Sequence, residues 1–369
     1  MTFSRNGRHA GASPGQPYTC PMTNCRQLTF LLPQGPPYLP TTAGLGGRPT
    51  PSVDDPISGV LLAFFVAGAV LNMTILQLNK RRSHKFLLSG LLFGFCMARI
   101  SANVLRIAWA SHPTNASLAI AAQVFVNAGV VLLFVVNLIF TQRILRAYHP
   151  HIGWSKPVTI FFRFLFFSVV ANLIMVIVAV VYSFYTLDPT TRLQLRKIQL
   201  TAVTYLAILA FLPLPITGIS ILLPRKAPMD KFGQGRMRTK IGLLVFTASL
   251  LTLGAAFRAG VAYQIRPITN PAWFHHKACF YVFNYVIELI VVYSYALSRF
   301  DRRFHIPNGS SGPGAYSSSG DSAVSNDGIY RVNTESEVFG NDERPRPHRE
   351  NQKEEPMADI SRRPSSTST

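Results

Sequence analysis

Acidic residues are scarce through most of this chain. Residues 1–303 contain six of them, Asp54, Asp55, Asp188, Asp230, Glu288 and Asp301, against 29 lysines and arginines. Within the long apolar runs only Glu288 is acidic, and one carboxylate cannot form the acid and base pair of a two-carboxylate enzyme. No H-E-x-x-H, G-x-S-x-G or P-loop occurs. The chain is therefore expected to be no enzyme, with no catalytic residue and no cofactor. The four cysteines, Cys20, Cys25, Cys96 and Cys279, lack zinc-site spacing, and the adjacent His275 and His276 suit a loop better than a shared ligand geometry. No metal is expected. The last apolar run has no internal lysine for a retinal Schiff base, Lys277 standing at its edge, and a pump would use more than one buried acid.

What the chain has in abundance is apolar sequence. It is 48% hydrophobic and 11% aromatic over 369 residues, with only 14% charged residues. Seven runs approach the roughly 20 residues that a bilayer core requires. They cover about 57–78, 86–109, 118–140, 158–185, 199–223, 240–264 and 278–298. The expected fold is an all-α integral membrane protein of seven transmembrane helices. Residues 1–56, rich in Gly, Pro, Thr and Arg and without a signal-peptide core, read as a disordered extracytoplasmic tail. Residues 57–303 form the membrane domain. Residues 304–369, where ten acids meet seven bases among Ser, Gly and Asn, read as a disordered cytosolic tail.

The formal net charge of +20 would suggest nucleic acid in a soluble protein, but no recognition module accompanies it and none is expected as a partner. The charge instead sorts by side. Sixteen basic residues fall in the first, third and fifth loops and just after the last run, against six on the opposite side when Arg48 is counted. The positive-inside rule then places the N-terminus outside and the C-terminus in the cytosol. Trp109, Trp154 and Trp273 all fall at expected membrane boundaries, where indole rings are favoured. The plasma membrane is the expected location, with another secretory-pathway membrane as the alternative. With that topology Asn115, in N-A-S, is the outward-facing glycosylation acceptor. Cys20 and Cys25 could close a small disulfide loop in an oxidising compartment, and Ser365, after Arg362-Arg363-Pro364, suits a basophilic kinase.

The polar residues inside the runs point to the interior. The second run contains Arg99, Asn103 and Arg106, spaced to share one helix face. At about 1.5 Å per residue, Arg99 lies roughly 15 Å below the outer boundary, and Glu288 reaches a similar depth on the seventh run. An unpaired charge at that depth is costly, so Arg99 and Glu288 are expected to pair, with Asn103, Asn127 and Asn172 completing a polar network. That pairing leaves Arg106 and Arg258 without an acid in the outer half, near Tyr281 and Asn284. These four are the candidate ligand residues, for an anionic head group on an apolar body. The competing view is that Arg106 and Arg258 snorkel to lipid head groups. Pro213 and Pro215 should kink the fifth run, and Gly90-x-x-x-Gly94 permits close packing of the second.

The segments ARISANVLRIAWASHPTN, AAQVFVNAGVVLLFVVNLIFTQRILRAYHP with IGW, and SRFDRRFHIPNGS resemble an uncharacterised fungal family of seven-helix membrane proteins. The resemblance spans about residues 57–307. Members are sometimes labelled similar to G-protein-coupled receptors. That implies a receptor-like sensor of an outer ligand, meeting a cytosolic signalling protein at inner loops 141–157 and 224–240. Thr141-Gln142-Arg143 stands where the large rhodopsin-like class has an acid, an arginine and an aromatic, and N-P-x-x-Y is missing. The alternative function is a lipid or small-molecule translocator using the same polar interior.

Overall fold

The computed structural model describes residues 35–38, 42–81, 86–225, 229–306, 309–316 and 338. The expected Cys20, Cys25 and Ser365 features lie outside the described residues. Among the described residues, seven helices are long and apolar enough to cross a membrane: α1 Pro51–Arg81, α2 Leu88–Ser111, α3 Ala116–Tyr148, α4 Lys156–Ser183, α5 Pro189–Leu222, α6 Met237–Tyr263 and α7 Lys277–Leu297. The chain is a multi-pass, seven-helix protein. Three helices overshoot the bilayer: the 31, 33 and 34 residues of α1, α3 and α5 span about 46 to 51 Å at 1.5 Å per residue, against a 30 Å hydrocarbon layer.

Local chemistry explains the overshoot. Hydropathy marks where a helix turns apolar, whereas caps decide where it begins. Asn115 caps α3, its Oδ1 accepting from the backbone of Ser117 at 3.0 Å and Leu118 at 3.3 Å. Asp188 caps α5, followed by Pro189 at the first helical position, so the helix starts ten residues before the expected Gln199. The hydroxyls of Thr190 and Thr191 hold the Asp188 carboxyl below the usual carboxylate range. The polar first turns of α5 are then tied to α6 where Arg196 Nη2 donates to the Ala262 carbonyl at 2.7 Å.

The α5 helix is interrupted between Phe211 and Pro213. Leu212 at the break keeps helical angles (φ −54°, ψ −35°), so the chain passes the prolines without unwinding. Gly90 and Gly94 do not share one seam. Gly90 faces Leu76 of α1 and Gly94 faces Leu132 of α3, which lets α2 fit between two neighbours.

The helices form a closed bundle in which each packs on the next, α7 returns to α1 and α6, and α3 also reaches α5 and α6. The bundle has two ends. The amino end holds the start of α1, residues 42–50 and the loops after α2, α4 and α6. The carboxy end is closed by its own chain. Phe304, after the short helix Phe300–Arg303, stacks on Phe140 of α3 with ring centres 3.9 Å apart, and Phe232 packs against Phe304. Gln234 N donates to the Arg302 carbonyl at 2.9 Å. Gly233 permits that approach: its φ is +57°, and a Cβ would lie 2.2 Å from the Arg303 carbonyl oxygen. Just above, Tyr295 Oη donates to Asn137 Oδ1 and meets Thr247 Oγ1 at 2.7 Å.

Candidate functional site

Two polar clusters, one above the other, connect α7 to its neighbours. The deeper one is centred on Glu288 of α7. Arg99 Nε and Nη2 bind its two carboxylate oxygens at 2.6 and 2.7 Å, a bidentate pair, while Nη1 donates to the Val126 carbonyl of α3 at 2.9 Å. Arg99 can lie against the α3 backbone because residue 129 is glycine, where a Cβ would sit 3.4 Å from the guanidinium. The rings of Phe95 and Tyr285 flank it at 5.5 and 5.2 Å. Arg258 of α6 reaches the same carboxylate at a longer 3.3 Å, and Asn284 Oδ1 at 3.5 Å.

The shallower cluster is centred on Asp54, in the first turn of α1. Arg106 meets Asp54 Oδ1 at 2.7 Å, Tyr281 Oη donates to the same oxygen at 2.7 Å, and the other oxygen accepts from Thr50 N at 2.8 Å and from Lys277. Arg106 also donates to Tyr281 Oη and to the Gly46 carbonyl, both at 3.1 Å, and lies 4.2 Å from the centre of the Phe280 ring. Each cluster therefore sets two cations on one carboxylate. Asp54 and Glu288 are fully buried.

This arrangement corrects the reading of Arg106 as a cation without an acid. The α1 helix begins at Pro51, about a turn and a half before its apolar run, and that turn carries Asp54 into the bundle beside Arg106. A helix-start signal in the sequence, Thr50-Pro51 followed by the paired Asp54 and Asp55, could have found it. Arg258 is likewise not alone, since it shares Glu288. Tyr281 is committed to Asp54 and Ser58 and does not line the cavity described next. Asn103 turns back to its own helix, donating to the Arg99 carbonyl at 2.9 Å, and Asn172 is buried on α4 with no hydrogen bond to Nδ2 among the described residues. The polar network thus takes in neither amide directly. Asn115 is exposed at the α3 cap, and Arg163 is exposed on α4.

A cavity of about 1180 Å³ opens at the amino end, lined by residues of α2, α3, α4, α5, α6 and the start of α7. On α3 it runs from Ala119 to Phe134, about 22 Å along the helix. Its deep walls are apolar, from residues such as Val130, Val176, Val203 and Leu206, and Asn127 and Gln123 add polar points on α3. Arg48, Arg106, Arg196, Arg258 and Lys277 line it, and among the described residues no Asp or Glu does. Its roof is residues 42–48, held across the mouth by hydrogen bonds from Ala43 N to the Arg266 carbonyl at 2.9 Å and from Gly46 N to the His275 carbonyl at 3.1 Å. His275, also in the lining, is buried with neither ring nitrogen hydrogen-bonded among the described residues. Burial, aided by the charge of Arg266, pushes its imidazole pKa down.

The sequence model of a family described as "Protein of unknown function (DUF3112)" matches residues 226–305. That stretch holds α6, α7 and the carboxy-end closure, and with them Arg258, Tyr281, Asn284 and Glu288. No curated protein and no solved structure matches the chain. The fungal and receptor-like associations therefore rest on the sequence resemblance alone.

Proposed function

We propose that the protein is a receptor-like sensor that binds an anionic, lipid-like ligand from the outer side and acts by binding rather than by catalysis. The observation that carries this reading is the cavity lining: five cations, no carboxylate among the described residues, and apolar walls below them. A 22 Å depth exceeds the roughly 15 Å of one leaflet's hydrocarbon, so a head group and one chain fit lengthwise. A volume of about 1180 Å³ lies somewhat above the range of drug-sized ligand sites, about 300 to 1,000 Å³. The unsatisfied His275 nitrogens offer further hydrogen bonds near the mouth. The charge bias of the loops supports an outward amino end and a cytosolic C-terminus, in the plasma membrane or another secretory-pathway membrane. The basic inner loops, 141–157 and 224–240, then form the surface for a cytosolic signalling partner.

The closure at the carboxy end favours a sensor over a translocator. Below Phe134 the path would have to pass the Asn137, Tyr295 and Thr247 group and then the Phe140 and Phe304 stack. The test is purified protein in nanodiscs of zwitterionic lipid, titrated with single-chain anionic, neutral and cationic amphiphiles while thermal unfolding is followed. Anionic amphiphiles should raise the melting temperature selectively. Equal stabilisation by all three charge types would refute the reading, and vesicle assays showing protein-dependent movement of the amphiphile across the bilayer would replace it with translocation.

A further inference from the structure

The two clusters are not equivalent towards a ligand. In the shallow one, Arg106 is enclosed by Asp54, Tyr281, the Gly46 carbonyl and the Phe280 ring, and Lys277 is held by Asp54 and Thr50. In the deep one, Arg99 uses all three guanidinium nitrogens. Arg258 differs. Both hydrogen bonds described for it leave from Nη1, at 3.3 and 3.5 Å, and its Nε and Nη2 make none among the described residues. It lines the cavity, and its side chain is 15% exposed where Arg99 is fully buried.

Charge arithmetic sharpens the point. Two guanidinium groups and one carboxylate leave the deep cluster with one uncompensated positive charge, which arginine cannot shed. In a low-dielectric interior such a charge needs a counter-ion. We infer that Arg258 is the head-group anchor of the cavity, and that the ligand is a single-chain carboxylate whose one negative charge neutralises the Arg99, Glu288 and Arg258 cluster. This rests on the reading of the cavity as an anionic-amphiphile site. The free Nε and Nη2 edge presents two parallel donors to a planar carboxylate, and Asn127 of α3 lies among the lining residues as a polar neighbour. A doubly charged phosphate monoester would leave the cluster with net charge −1, so it is disfavoured. The bond from Arg258 to Glu288 weakens as the ligand takes its share of the guanidinium. The α6 to α7 contact beside Gly254, whose Cβ would meet the Phe283 carbonyl at 3.1 Å, is thereby linked to occupancy.

The experiment uses the full chain in zwitterionic nanodiscs at pH 8. Binding of a radiolabelled sixteen-carbon fatty acid, corrected for empty nanodiscs, is competed by the unlabelled acid, the alcohol of the same length and its mono-alkyl phosphate. The acid should compete at least about tenfold more tightly than the alcohol and more tightly than the phosphate. Arg258→Gln should remove the preference for acid over alcohol. Glu288→Gln, which raises the cluster from one excess charge to two, should move the preference towards the phosphate. The wild-type ranking needs no variant, so a variant that fails to fold leaves the inference exposed to refutation. An alcohol that binds as tightly as the acid overturns it, as does Arg258→Gln with the acid preference intact. A phosphate that outcompetes the acid on wild-type protein reassigns the site to a phospholipid-type head group and overturns the carboxylate assignment. If no amphiphile of any charge binds the wild-type protein above empty nanodiscs, the failure belongs to the cavity reading itself.

Discussion

Removing Asp54 should unlatch the amino end of the bundle. Its carboxylate is fully buried and accepts from Arg106, Tyr281, Thr50 and Lys277, so Asp54→Ala strands a guanidinium that is only 6% exposed. Breaking a buried pair from one side costs about 3 to 5 kcal/mol. The lower end applies here for two reasons. Arg106 keeps the Gly46 carbonyl, Tyr281 Oη and the Phe280 face, and Lys277, 21% exposed, can turn to water. The expected loss is therefore about 3 kcal/mol. Arg106→Leu should cost less, because Asp54 keeps Lys277, Tyr281 and Thr50. The double variant removes both charges together and should cost well under the sum, with a coupling energy on the order of 1.5 kcal/mol or more. Unfolding of the purified protein in mixed micelles measures all four corners of the cycle. Backbone amide hydrogen exchange at Ala43 and Gly46, whose N–H groups bond to the Arg266 and His275 carbonyls, gives a local readout and should accelerate in both single variants. Costs of the two substitutions that add within about 0.5 kcal/mol would show that Asp54 and Arg106 do not act as a pair.

Two further outcomes follow from the same region. Gly129→Val places methyl groups against a guanidinium that an ideal Cβ already approaches to 3.4 Å, and should cost about 1 to 3 kcal/mol in unfolding assays, with Gly129→Ala much milder. His275 has a folded-state pKa below its ordinary value because burial disfavours its charged form. As pH falls through about 6.5, the unfolded chain takes up the proton first. His275 should contribute no pH dependence above that pH and a loss of stability below it, and His275→Gln should flatten that loss in thermal melts.

Most of the architecture can be read from hydropathy because a bilayer leaves few alternatives. Seven apolar runs give seven helices, with centres close to those of α1 to α7. Ends were less legible. The first turns of α1 and α5 are polar, and their stability comes from Asp54 bonding back to Thr50 and from Asp188 capping Thr190 and Thr191, which no hydrophobicity window registers. That gap hid the partner of Arg106. Depth counting along the second and seventh runs brings Arg99 and Glu288 to one level, and their side chains meet there at 2.6 Å. The same counting assumes that one acid serves one base. Arg258 escaped it by sharing Glu288, which only the crossing of α6 over α7 reveals. The inner Asn137, Tyr295 and Thr247 group was missed because none of the three is charged, so nothing in their cost of burial drew notice.

The roof of the cavity is also a piece of main chain that leads directly into α1. Residues 42–48 join whatever precedes them to α1, and hydrogen bonds at Ala43 and Gly46, with Arg106 on the Gly46 carbonyl, fasten them over the mouth. Among the described residues a load applied upstream meets these fastenings in series: Tyr38, whose N–H donates to the Phe184 carbonyl at 2.7 Å, then Ala43, then Gly46. The upstream segment can therefore serve as a pull-cord. Because the fastenings stand in series, the mouth can be uncovered by breaking hydrogen bonds of its main chain alone, with every helix left intact.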